Sequence, residues 1–200
     1  FAKLYAAADI VYNPSRTRFL QQAKALGLKN AGGLSMLVAQ AWQASEIFVG
    51  GPSTGSGTAD GATKINSVIK SLQDQMLNIT LVGMPGCGKT TLGKKLAKQL
   101  NRTFIDLDIQ FKEEYAATPA EVISTKGEDE FRRMETELAK KILPQSGLVI
   151  ATGGGIVTRK ENWFYLRANS KVCYLERPLD FLLKQDTSNR PISRSAGIEE

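Results

Sequence analysis

The stretch "LVGMPGCGKTTL", residues 81–92, decides how this chain is read. Gly83, Gly88, Lys89 and Thr90 fill the pattern G-x-x-x-x-G-K-[S/T]. The apolar run "NITLVG" before it reads as a strand, and "KTTLGKKLAKQL" after it reads as a helix, which is the context that this pattern requires. Each residue has a physical task. The glycines let backbone N–H groups converge on phosphate oxygens, and the following helix turns its positive end toward them. Lys89 is expected to reach the outer phosphates of a nucleoside triphosphate, and the Thr90 hydroxyl suits a magnesium ion. Gly86, Cys87 and Thr91 belong to the same loop and first helical turn and complete the expected nucleotide-binding set. Cys87 reads as a small filler residue; the alternative is a redox-sensitive thiol at a helix N-terminus.

Composition narrows the chemistry. Among 200 residues there is no histidine, which excludes Ser-His-Asp catalysis, histidine bases and histidine metal sites. Catalysis must then run on carboxylates, Lys, Arg and backbone amides. The formal charge is +6, yet the basic residues are dispersed without aromatic interleaving, so no nucleic-acid partner is expected. No run of about 18 apolar residues occurs, so no membrane span is expected either. The two cysteines, Cys87 and Cys173, make no disulfide framework and read as reduced thiols of a cytoplasmic protein. No obligatory protein partner is implied. The chain opens on Phe1 rather than Met, and the expectation is a piece of a longer polypeptide.

Three zones follow. Residues 1–50 carry apolar positions Leu34, Leu37, Val38, Ala41, Trp42 and Phe48 at helical spacing. Residues 51–63, "GPSTGSGTADGAT", read as a flexible linker. "KINSVIKSLQDQM" sets Ile65, Val68, Ile69, Leu72 and Met76 on one helical face, expected to cap the domain that follows. Strand and helix then alternate through "NITLVG", "TFIDLD", "GLVIAT" and "KVCYLE". A long helical run opens on the capping box Thr118-Pro-Ala-Glu121. The expected fold class is α/β: a P-loop NTPase-type parallel sheet with helices on both faces, preceded by a short helical segment. The expected boundaries are 1–50, then 51–75 as linker and helix, then 76–200.

Three constellations bear on the phosphate acceptor. In "FIDLD", Asp106 and Asp108 alternate on a strand end, so both carboxylates are expected near the phosphates. One can serve magnesium while the other accepts a hydrogen bond from an acceptor hydroxyl. In "FRRMETE", Arg132 and Glu135 share a helix face; an arginine so held suits a substrate carboxylate. In "ATGGGIV", Gly153, Gly154 and Gly155 let a small polar ligand approach the backbone.

Taken with "NRPI", these motifs resemble the shikimate kinases in order and approximate spacing, over about residues 76–200. The resemblance implies an enzyme that transfers phosphate from ATP, with magnesium, to the 3-hydroxyl of shikimate. It implies that Asp108 bonds and deprotonates that hydroxyl, that Asp106 joins Thr90 at magnesium, and that Arg132 binds the shikimate carboxylate. Gly153, Gly154 and Gly155 would line the ring, and Arg190 would be a lid arginine over the phosphates. The family pattern continues past Glu200 with a further substrate-binding arginine and a final helix, so a kinase truncated at its C-terminus, weak or inactive, is expected.

Residues 9–50 are similar to the C-terminal end of shikimate dehydrogenase, through "VYNP", Thr17 and "GLSMLVAQA". That resemblance places Tyr12 and Gln40 against shikimate and Met36 near a nicotinamide. NADP would serve only a parent dehydrogenase domain, whose dinucleotide loop and catalytic Lys and Asp are not in this stretch. The implied parent is a bifunctional dehydrogenase and kinase acting toward chorismate and the aromatic amino acids. The alternatives are another small-molecule P-loop kinase, for gluconate or a nucleoside monophosphate, or a non-catalytic nucleotide-binding fragment.

Overall fold

The computed structural model describes residues 4–49, 59–178 and 182. The chain divides into two compact units, with the boundary between Leu77 and Asn78.

In the first unit, strand β1 (Ala6–Ala8) pairs in parallel with β2 (Lys29–Ala31), and helix α1 (Arg18–Ala25) connects them. Thr17 caps α1, its hydroxyl accepting from the Leu20 N–H and donating to Asp9 at 2.6 Å. Helix α2 (Gly33–Val49) and helix α3 (Ala59–Met76) pack together through buried Leu34, Val38 and Ile65, backed by Trp42, Ile69, Leu72 and Met76. The apolar stripe of α3 thus faces α2, where the sequence led us to expect a cap on the next domain. Val68, Leu37 and Phe48, expected on buried stripes, are exposed. Residues 51–58 of the expected linker lie outside the described residues, and Ala59 already opens α3.

The second unit is a four-stranded parallel sheet in the order β4-β5-β3-β6. Its strands are β3 (Asn78–Gly83), β4 (Phe104–Asp106), β5 (Val149–Ala151) and β6 (Ser170–Leu175). Side chains alternate across a strand, and β3 shows what that does. Leu81 lies beside Gly93 of helix α4 (Lys89–Leu100), while Val82 joins the main apolar cluster. That cluster gathers Leu107 and Phe111 of α5 (Leu107–Tyr115), Val122 of α6 (Pro119–Lys126), Phe131, Leu138 and Ile142 of α7 (Glu128–Ile142) and Leu166 of α8 (Asn162–Ala168). Helices therefore cover both faces, as a parallel sheet requires. β5 is buried at every position, which matches its all-apolar run "VIA".

A polar clamp secures the lower edge of β3. Asn78 is fully buried; its amide donates to the carbonyls of Leu143 and Gln145, and its oxygen accepts from the Leu148 N–H. The turn after α7 is thereby tied to the start of β3, and a side chain that would be costly to bury has its bonds made.

Two expectations change here. The run expected as one long helix is two. The capping box at Thr118 and Glu121 is present as read, but Gly127, at φ +86°, ends α6 and starts α7. A side chain is strained in that backbone region. "FIDLD" is not all strand either: β4 ends at Asp106, which caps α5 by accepting the Asp108 N–H. Asp108 therefore projects from the first turn of a helix.

Candidate functional site

The phosphate loop joins β3 to α4. Gly88 stands at the start of α4 with φ +94°, a conformation that favours glycine. The Lys89 ammonium is buried and donates to the carbonyls of Gly83 and Met84 at 2.8 and 2.9 Å, with the Cys87 sulfur at 3.7 Å. Cys87 is itself buried, while Thr90 and Thr91 are exposed. Thr90 donates to the Asp106 carboxylate at 2.7 Å, so loop and strand end meet through hard oxygen atoms.

Next to this lies a charged cluster on α7. Arg132 is 8% exposed and Glu135 5% exposed. The Arg132 Nη1 donates to Glu135 Oε2 at 2.8 Å, and its Nε and Nη2 donate to Glu128 Oε1 at 3.3 and 3.2 Å. The guanidinium also sits 5.1 Å from the Phe131 ring centre. Burial pushes the Glu135 carboxyl up from its usual range; the Arg132 bond works against this, and nearby Asp108 adds to it.

The triple glycine closes on this cluster. A Cβ on Gly153 would come within 2.8 Å of Glu135 Oε1 and 3.1 Å of Asp108 Oδ1. A Cβ on Gly154 would strike Pro85, and one on Gly155 would lie 2.1 Å from Arg132 Nη2. The glycines therefore let protein side chains approach the loop closely. Asp106, Asp108, Arg132, Glu135 and Gly153 to Gly155 come together beside the phosphate loop. Arg190 lies outside the described residues. Tyr12, Met36 and Gln40 are exposed in the first unit, where the Gly33 N–H donates to the Val11 carbonyl and sets the first turn of α2 beside Tyr12.

Sequence reasoning passed over three residues. Glu128 stands four before Arg132 on α7, the same-face spacing that would have found it. Phe131 was given no role, yet its ring lies both in the core and against the Arg132 guanidinium. Arg159, which bonds Glu161 and the Asp129 carbonyl and lowers the Glu135 pKa from nearby, carries no local signal because it reaches back from beyond the glycine loop.

A parallel sheet feeding a phosphate loop, with an acidic pair and a buried guanidinium beyond it, defines a P-loop phosphotransferase. The family model described as shikimate kinase matches residues 85–200. The chain belongs to the shikimate kinase family. A shikimate kinase of Clostridium botulinum (strain Eklund 17B / Type B) is 42% identical over 118 residues, 58% of this chain and 71% of that protein. One of Haemophilus influenzae (strain PittEE) is 40% identical over 121 residues, 60% of this chain and 67% of that protein. Among solved structures, shikimate kinase from Acinetobacter baumannii in complex with shikimate superposes with a TM-score of 0.57 at 36% identity, over 61% of this chain and 69% of that one. The enzyme from Bacteroides thetaiotaomicron gives 0.53 at 35% identity, over 58% and 68%.

Proposed function

We propose that the second unit transfers phosphate from ATP to the 3-hydroxyl of shikimate. The observation that carries this is the buried Arg132, seated between Glu135 and Gly155, with the Asp108 carboxylate meeting that same Glu135 at Gly153. A fixed guanidinium binds the acceptor carboxylate, which orients the ring. Asp108 then takes the proton of the attacking hydroxyl. Lys89 and the loop N–H groups hold the phosphates, and Arg190 closes over them. The oxygen pair of Thr90 and Asp106 fits magnesium. Among the described residues no group of three His, Cys, Asp or Glu could hold a metal ion, so the remaining ligands would be phosphate and water. Magnesium, when bound, neutralises charge on the transferring phosphate.

Titration calorimetry tests the acceptor, with magnesium-ADP saturating the protein. Shikimate should bind, and Arg132→Ala should abolish that heat while leaving ADP binding intact. Heat from ADP with none from shikimate would overturn the acceptor assignment, and a panel including gluconate and nucleoside monophosphates would replace it.

The reading extends to the first unit as the end of an NADP-dependent shikimate dehydrogenase domain in a bifunctional parent. Its support is the three-residue parallel pair of β1 and β2, exposed along most of its length. Parallel strands are otherwise found within larger sheets covered on both faces. A natural chain carrying both segments should reduce 3-dehydroshikimate with NADPH; absence of that activity would remove this part of the proposal.

A further inference from the structure

We propose that Glu128 is a displaceable internal anion that sets how tightly Arg132 takes the carboxylate of the acceptor. The inference rests on the reading that Arg132 binds that carboxylate, and it starts from the inequality of the two glutamates on one guanidinium. Glu135 bonds Arg132 at 2.8 Å with its side chain 6% exposed, whereas Glu128 reaches it at 3.2 Å with its side chain 54% exposed. Burial, the Phe131 ring and the close approach of Gly155 hold the guanidinium on its inner side. Glu128 adds little to that seating, because it stands at the first residue of α7 and can turn into solvent.

Its charge nevertheless matters to a ligand. Glu128 Oε1 takes N–H groups of both Nε and Nη2. An arriving carboxylate must either displace it from them or settle beside it against like-charge repulsion. Glu135 and Asp108 already place negative charge at the same point, so a third internal anion works against the incoming one. Exposed ion pairs of this kind are weak, and releasing one should change affinity by about two- to fivefold. Asp129 and Glu130 keep the N-terminal turn of α7 acidic, so loss of Glu128 leaves the helix start supported.

The test is shikimate titration by calorimetry with magnesium-ADP saturating, on the full chain and on Glu128→Gln and Glu128→Ala. Both variants should bind shikimate about two- to fivefold more tightly than the parent chain. The advantage should shrink toward unity as ionic strength rises from about 0.05 to about 0.5 M. A glutamate that only braced Arg132 would give the opposite sign, so equal or weaker binding in both variants would overturn the proposal. An advantage that persists at high salt would overturn its electrostatic basis. Parent chain that takes up ADP but no shikimate would remove the acceptor reading first, and this inference with it.

Discussion

Gly155→Ala isolates the contact on which the site depends. Gly155 has φ −93°, so alanine brings no backbone strain and only the methyl group matters. That methyl would sit 2.1 Å from Arg132 Nη2 and 2.4 Å from both Cζ and Nη1. Ordinary contact is about 3.5 Å, so the guanidinium must withdraw by about 1.4 Å. Its bond to Glu135 at 2.8 Å would then stretch past hydrogen-bond range unless Glu135 followed. Glu135 has little room to follow, since it is buried and its Oε1 already lies against Gly153. Overpacking costs about 1–3 kcal/mol, and complete rupture of the buried pair would bring the loss to about 4 kcal/mol. Urea denaturation should therefore show a loss of about 2 kcal/mol or more. Shikimate affinity by calorimetry should fall at least about tenfold. In an Arg132→Ala background the same glycine change should cost almost nothing, because its collision partner is gone. Stability within about 0.5 kcal/mol of the parent chain and an unchanged titration would refute the seating of Arg132 against the loop.

Asn78→Ala removes three bonds that join β3 to the turn after α7 and takes from the buried Leu143 carbonyl its side-chain donor, while the Gln145 carbonyl keeps the Asn169 amide. At about 1 kcal/mol per bond the loss should be about 2–4 kcal/mol in urea denaturation, and a cost below about 1 kcal/mol would deny the clamp its role. Glu135 gives a pH signature. Burial raises its pKa in the folded chain above the ordinary value of 4.5, so the folded state holds more protons above that pH. Its contribution to stability therefore falls as pH rises through the window from about 4.5 up to the raised value. Glu135→Gln should gain stability relative to the parent as pH rises from about 4.5 to about 7, read by urea denaturation across pH. A difference that stays flat or runs the other way would refute the shift.

How much of this was legible in the sequence depends on distance along the chain. The phosphate loop, the strand before it, the helix after it and the capping box at Thr118 depend on neighbours within a few residues, and the structure keeps them where the pattern put them. The alternation of strands and helices likewise announced the parallel sheet, because period and length are local properties. Near Asp106 and Gly127 the local signals were ambiguous: either residue can continue an element or end it, and packing decided. The face of α3 was readable from its period, but its partner was not. Sequence alone thus determined that the chain carries a phosphate loop at the end of a parallel strand, and which family it resembles. Only the tertiary structure decided that the three glycines press on Arg132, Glu135, Asp108 and Pro85, and that Glu128 shares the guanidinium. These contacts join α7, the first turn of α5 and the loop after β5, segments that meet only once the sheet and its helices have packed.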